Sequence, residues 1–146
     1  TLPKYSIINS NFWGSHQKTA FSFLPQTLEY LNAGGRVSNA SYLGAKLLKI
    51  YPSIEIKDGL LVAGKKYRGS FKKAALHFVE DFLKQDQLDL TSLKLVETVG
   101  LDPDTKAAIE NLLKEQGIQP GEWLQAGAVI TCHGGPGAFG ISAIKK

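Results

Sequence analysis

Two short stretches of this 146-residue sequence hold side chains spaced for chemistry. The first is His133-Gly134-Gly135-Pro136-Gly137. Glycines around a proline give a backbone that a ligand can approach closely, because no Cβ stands in the way. Free N–H groups in such a turn form a nest for an anion. His133 follows the apolar run Ala128–Cys132, which reads as a strand, and its imidazole can donate to the same anion. The second stretch is Gly34-Gly35-Arg36, which ends a helical pattern and aims a guanidinium out of a tight turn. Arginine grips a carboxylate or phosphate through two parallel N–H···O bonds. Each stretch also has a plainer reading. A glycine-rich turn with one histidine is often only a turn, and Arg36 can simply offset a helix dipole or pair with a structural carboxylate.

Other chemistries find no support. Cys132 is the single cysteine, so an internal disulfide and a cysteine-based zinc site are excluded. There is no GxGxxG or Walker A motif for a nucleotide. His-Gly-Gly-Pro-Gly is similar to the oxyanion-hole loop of proline iminopeptidases, but those hydrolases need a G-x-S-x-G elbow well downstream. Only nine residues follow Gly137, and Gly140-Ile141-Ser142-Ala143-Ile144 lacks the closing glycine. No nucleophile–base pair, metal set or cofactor motif can be assembled, so the sequence reads as a non-enzyme.

The elements that must position these residues follow from periodicity and punctuation. Leu24, Leu28 and Leu31 recur at helical spacing, with Pro25 in the first turn and Gly34-Gly35 as the stop, which predicts a helix over 24–33. A second helix is expected over 40–49, with Leu43, Leu47 and Leu48 on one side and Pro52 barring its continuation. Residues 53–57 alternate, Asp58-Gly59 makes a turn, and Leu60–Tyr67 returns as the second arm of a hairpin. Ser70 caps a helix to about Lys84 whose stripe is Phe71, Ala74, Ala75, Phe78, Val79 and Phe82, with His77 beside it in a structural place. Residues 91–99 read as a strand. Asp102-Pro103 opens a helix with Ile109, Leu112 and Leu113 inside and Gly117 at its end. Strands are expected at Glu122–Gln125, Ala128–Cys132 and Phe139–Ile144. The sum is an α+β domain, a two-layer fold in which helices cover one face of a mostly antiparallel mixed sheet. Residues 1–20, with a short strand at Tyr5–Ile8, read as a lead-in or linker, and 21–146 as the domain.

Bulk composition fits this. Hydrophobic residues make up 43% and charged residues 21%, near the average for globular chains and enough for a core. The net charge of +4 is too diffuse for nucleic acid, which needs a denser basic stripe. The cluster Lys65, Lys66, Arg68, Lys72 and Lys73 reads first as a solvated face. No apolar run is long enough to span a bilayer, and no signal-peptide pattern follows Lys4. The lone cysteine agrees with a reducing, cytoplasmic setting. The chain starts at Thr1 and has no methionine, which reads as a piece of a longer protein.

Taken together, three segments carry a resemblance from about Phe21 to the end. "LEYLNAGGRVSNASYLGAKLLKIYPSIEIKDGLL" resembles the DegV-family signature L-x-Y-L-x-x-G-G-R-I/V-S followed by a helix, a K/Y-P and a hairpin. "KKYRG" is similar to that family's basic segment, and "HGGPGAFG" to its terminal H-x-G-P-G-A-x-G. The resemblance implies a two-domain bacterial fatty-acid carrier in which the acyl chain is buried between domains and a separate fatty-acid kinase phosphorylates it for phospholipid synthesis. It implies that His133 lies at the fatty-acid carboxylate, Arg36 in the polar network beside it with the Gly135–Gly137 loop, and Arg68 at the kinase-docking position. It also implies that an N-terminal domain, missing from these residues, supplies hydroxyl ligands. Gly134 stands where the family commonly has Thr, so one hydroxyl beside His133 is lost. A rival reading is a regulatory or protein-interaction module that uses Lys65–Lys73 and binds no lipid.

Overall fold

The computed structural model of the protein describes residues 19–119 and 121–146, and residues 39–42 by their backbone alone. The expected lead-in over 1–18 and its strand at Tyr5–Ile8 lie outside the described residues. Strands β1 (Thr19–Leu24), β2 (Ile50–Lys57), β3 (Leu60–Arg68), β4 (Leu88–Glu97), β5 (Leu124–Gln125) and β6 (Phe139–Lys145) form one sheet in the order β3-β2-β1-β6-β4-β5. All neighbours are antiparallel except β4 and β5. The helices are α1 (Glu29–Ala33), α2 (Asn39–Leu48), α3 (Phe71–Leu83), α4 (Pro103–Glu115) and α5 (Ala128–Gly134). The fold is therefore the expected α+β arrangement.

Local chemistry explains most boundaries. Asp58 and Gly59 take φ of 52° and 76°, the paired positive values of the tight turn that matches strand twist. The Ser70 side chain accepts from the Lys73 N–H at 3.3 Å, and Asp102 accepts from the Thr105 N–H at 3.1 Å, each capping a helix start. Gly117, at φ 74°, ends α4. The stripe of α3 is buried along its whole length, as are Ile109 and Leu113 of α4, while His77 points to solvent. These two long helices cover one sheet face. There Phe71, Phe78 and Trp123 stand edge-on to Phe139, with ring centroids 6.5, 5.5 and 6.4 Å away. Burial of Phe71, Phe78 and Phe139 contributes roughly 1.5–3 kcal/mol each.

Successive strand residues face opposite ways. Ala20, Ser22 and Leu24 of β1 turn toward α3 and α4, so Phe21 and Phe23 point to the other face. On that face Leu28, Leu31 and Ala45 pack on Phe23 and Ile54 in a small cluster, α5 borders it, and the remainder is open among the described residues.

Four sequence expectations need correction. The helix expected from Leu24 begins only at Glu29, because Thr19–Leu24 pairs with both β2 and β6 and Pro25 follows the strand rather than opening a helix. Thr19 and Ala20 thus belong to the domain. Second, Ala128–Cys132 is not a strand but most of α5. The Thr131 hydroxyl donates to the Gly127 carbonyl at 3.0 Å, a helical i to i−4 bond that absorbs the β-branched side chain. Third, the leucines of α2 face out. Leu47 is 82% exposed and Leu43 and Leu48 are also exposed, while the small Ala45 packs inward. Fourth, β5 is shorter than expected, only Leu124–Gln125. Pro52 sits inside β2, at a register shift between Pro52 and Ile54 where the ladder is already broken.

Candidate functional site

The two glycine-bearing stretches, nearly a hundred positions apart in the chain, meet on the open face. At the end of α1, Gly34 is the cap and Gly35 takes φ 76°. The Gly35 N–H bonds to the Asn32 carbonyl at 3.0 Å and the Arg36 N–H to the Leu31 carbonyl at 2.8 Å. This is the paired closure that a left-handed glycine allows. Arg36 then folds back, and its Nη1 donates to the Gly34 carbonyl at 2.5 Å. That bond is the helix-end role of the plainer reading. It uses one of the five guanidinium N–H donors, and no other Arg36 bond is made among the described residues.

His133 occupies the last turn of α5, where a cation is favoured by the helix dipole. A Cβ built on Gly34 would lie 3.3 Å from Arg36 Nη1 and 3.5 Å from His133 Nδ1. The two polar side chains thus bracket one glycine, and a larger residue at 34 would crowd both.

The loop after His133 is held rather than free. The Gly135 N–H bonds to the Thr131 carbonyl and the Gly137 N–H to the Val99 carbonyl, both at 2.8 Å. The Ala138 N–H bonds to Thr98 Oγ1 at 2.9 Å, and Pro136 has no N–H. The expected anion nest is therefore not available, because these donors are spent inside the fold. What Gly135 and Gly137 provide is close approach. They take φ of 86° and 72°, and a Cβ on either would run into Tyr30 or Gln26. They let the loop seat directly on the 26–30 segment. Gly134 is less constrained, since a Cβ there would meet Phe23 at an ordinary 3.9 Å.

Beside His133 runs a trough of about 190 Å³. Its floor is sheet residues Phe21, Phe23, Ile56, Leu61 and Val96, and Ile130 of α5 overhangs it. Three polar side chains border it: Glu97, Thr98 and His133. Glu97 is bound by Lys106 at 2.6 Å, and the Thr98 hydroxyl donates to the Gly135 carbonyl at 2.8 Å. The His133 side chain alone of these has no protein partner among the described residues. An apolar channel with one unengaged imidazole at its border suits a molecule that is mostly hydrocarbon with a single polar end. This volume is below the roughly 300–1,000 Å³ of ligand sites that enclose a small molecule.

Arg68 is elsewhere, exposed at the end of edge strand β3 opposite Ile50. The trough residues Phe21, Phe23, Val96 and Gly140, and the buried Thr98, were not singled out by sequence. Phe21 and Phe23 become visible once Thr19–Leu24 is read with period two. Thr98 gives no signal in Val96-Glu97-Thr98-Val99. Among the described residues, no His, Cys, Asp and Glu group is placed to hold a metal, and no helix is long and apolar enough to cross a membrane.

The chain is an α+β domain with an apolar trough on one sheet face and a histidine at its border. Residues 8–146 match the family described as "Uncharacterised protein, DegV family", and the chain belongs to it. A DegV domain-containing protein of Deinococcus radiodurans is 34% identical over 121 residues, which are 82% of this chain and 42% of that protein. A solved structure described as fatty acid binding of a DegV family protein from Thermus thermophilus is 26% identical with a TM-score of 0.70, over 97% of this chain and 50% of that one. The Streptococcus pneumoniae Fatty Acid Kinase (Fak) B3 protein, solved loaded with linoleic acid, shares the fold at a TM-score of 0.74 with 16% identity, over 97% of this chain and 50% of that one. The chain spans half or less of the length of these relatives.

Proposed function

We propose that this chain is the half of a fatty-acid carrier that lays the hydrocarbon along the trough and turns the carboxylate toward His133, with Arg36 behind it. The observation that carries this is the trough itself, an apolar floor bordered by one polar side chain with no internal partner. Fatty-acid binding by the Thermus thermophilus and Streptococcus pneumoniae proteins supports it. The energetics divide the labour. Each methylene taken from water contributes about 0.8 kcal/mol, so the tail supplies most of the affinity. The carboxylate contributes roughly 1.5–3 kcal/mol through a charged hydrogen bond and sets direction. An N-terminal domain of the DegV type would close the other wall. The carrier works in the cytoplasm, performs no chemistry, and presents its fatty acid to a kinase that docks near Arg68.

Native mass spectrometry of the intact protein purified from bacteria tests this. A copurifying long-chain acid is expected. An empty protein bound instead to another protein would favour the interaction-module reading built on Lys65–Lys73.

A further inference from the structure

The two ends of the trough differ in character. At one end Val96, Gly140 and Phe23 stand side by side across β4, β6 and β1. This end lies beneath α5, since a Cβ on Gly134 would meet Phe23 at 3.9 Å, and His133 borders it. Two residues back along β1 is Phe21. Ser22 stands opposite Glu55, so one step on the same register sets Phe21 beside Ile56. Ile56 in turn stands opposite Leu61. Phe21, Ile56 and Leu61 all line the trough, while Ser142, the polar partner of Phe21 on β6, stands outside it. The apolar floor therefore turns away from His133 and crosses β2 to β3, about 10 Å from β1 at ordinary strand spacing.

There the floor runs out in both directions. Sideways, β3 is the outermost strand of the sheet among the described residues. Lengthwise, Lys57 and Leu60 form the closing pair of the hairpin, and their side chains fall on the opposite face. Beyond them come only Asp58 and Gly59 of the turn. Ile56 and Leu61 are each 40% exposed, so both keep apolar surface free for a ligand.

We propose that the Ile56–Leu61 pair receives the tail end of the bound hydrocarbon and sets the acyl-chain length that the carrier prefers, a role that rests on the carrier reading above. Each methylene laid on an apolar floor tightens binding about fourfold. A methylene carried past Leu61 gains nothing from this floor. Length is thus selected by where the floor stops, not by a blocking wall. The selection is independent of His133 and Arg36, which meet the same carboxylate whatever the tail.

The test is titration calorimetry of the intact, delipidated protein with straight saturated acids of increasing length. Wild-type affinity should rise about fourfold per methylene and then level off. The double variant Ile56→Thr, Leu61→Thr keeps strand-favouring residues in the hairpin. It should level off at shorter acids, with long acids weakened about tenfold or more, the worth of two methylenes, and the shortest acids unchanged. Leu61→Thr alone should shift the profile the same way by less, which serves if the double variant folds poorly. Leu60→Thr, on the opposite face and 68% exposed in the wild type, should keep the wild-type profile. A plateau that does not move in the Ile56 and Leu61 variants, a loss equal at every length, or the same shift in Leu60→Thr overturns the proposal and leaves the carrier reading standing. A wild-type protein that binds no acid of any length removes both.

Discussion

The Thr98 hydroxyl donates to the carbonyl of Gly135 at 2.8 Å, and the same oxygen accepts from the Ala138 N–H at 2.9 Å. One buried side chain just past the end of β4 thus holds both ends of the loop that follows His133. Thr98→Val keeps the shape and removes both bonds, stranding a buried carbonyl and a buried N–H. Each such loss costs roughly 1–3 kcal/mol. Chemical denaturation should show a destabilisation of at least about 1 kcal/mol, and fatty-acid binding by the intact protein should weaken although the substituted side chain touches no carboxylate. Unchanged stability would mean that the loop is set by its glycines alone.

His133→Ala should weaken long-chain fatty-acid binding by the intact protein about ten- to a hundredfold, since a hydrogen bond to a charged group contributes roughly 1.5–3 kcal/mol and each 1.4 kcal/mol is about tenfold. Binding should not vanish, because the tail contributes more. The melting temperature should hardly move, as the side chain is exposed and without a partner among the described residues. Arg36→Ala should show a smaller loss of affinity. Its effect is mixed with loss of the bond to the Gly34 carbonyl, so circular dichroism on the same sample separates the two. Wild-type affinity in His133→Ala would return the loop to the status of an ordinary turn.

Gly140 sets the depth of the trough. A Cβ there would lie 3.0 Å from Phe21 Cε2 and 3.0 Å from Val96 Cγ1. Gly140→Ala should therefore crowd the floor, at the roughly 1–3 kcal/mol typical of overpacking, and weaken the binding of long-chain acids measured by titration calorimetry. Adding Val96→Ala removes one of the crowding methyls and should restore binding in part. If Gly140→Ala binds as wild type does, the hydrocarbon runs elsewhere.

Stability should fall at both pH extremes through one cluster. Burial pushes the Asp81 carboxyl up, but hydrogen bonds from Lys65 and Tyr67 and the charges of Lys65 and Lys84 outweigh it and hold the group below its ordinary 3.8. Its contribution is complete above that value and is lost as pH falls through the lower folded value. Burial, then the bond to Asp81, raises the Tyr67 phenol far above its ordinary 10.0. The unfolded phenol ionises first, so stability declines as pH rises past 10.0. Thermal melts of Tyr67→Phe should lose most of the alkaline decline, and those of Asp81→Asn should soften the acid one. Parallel pH profiles in wild type and both variants would place the titrating groups elsewhere.

The parts of the fold that were legible have local causes. Asp58-Gly59 can make its turn without help from distant residues, and Ser70 and Asp102 cap helices with atoms three positions away. The missed parts are decided at long range. Val129, Ile130 and Thr131 favour strands by type, yet the sheet position beside β4 is filled by β6, and the connecting segment coils as α5. Thr19–Leu24 disguises itself because its core-facing residues are small or polar at Ala20 and Ser22, while its aromatics line the open face. The meeting of Arg36 with His133 was legible only as motif order, and the trough was not, because its floor is assembled from five strands.

The position of β6 has a consequence for how the domain comes into being. Phe139–Lys145 lies between β1 and β4, with Thr19 paired to Ile144 and Leu88 to Lys145. During synthesis the hairpin β2–β3 and the helices α3 and α4 can form early, but the two halves of the sheet have no strand pairing between them until residues 139–145 leave the ribosome. Pairings this distant in sequence are slow to close, and the unpaired edges of β1 and β4 are exposed to other chains meanwhile. The nascent chain should therefore be at its most vulnerable to aggregation just before its centre strand arrives, which makes that interval a natural point for a chaperone to act.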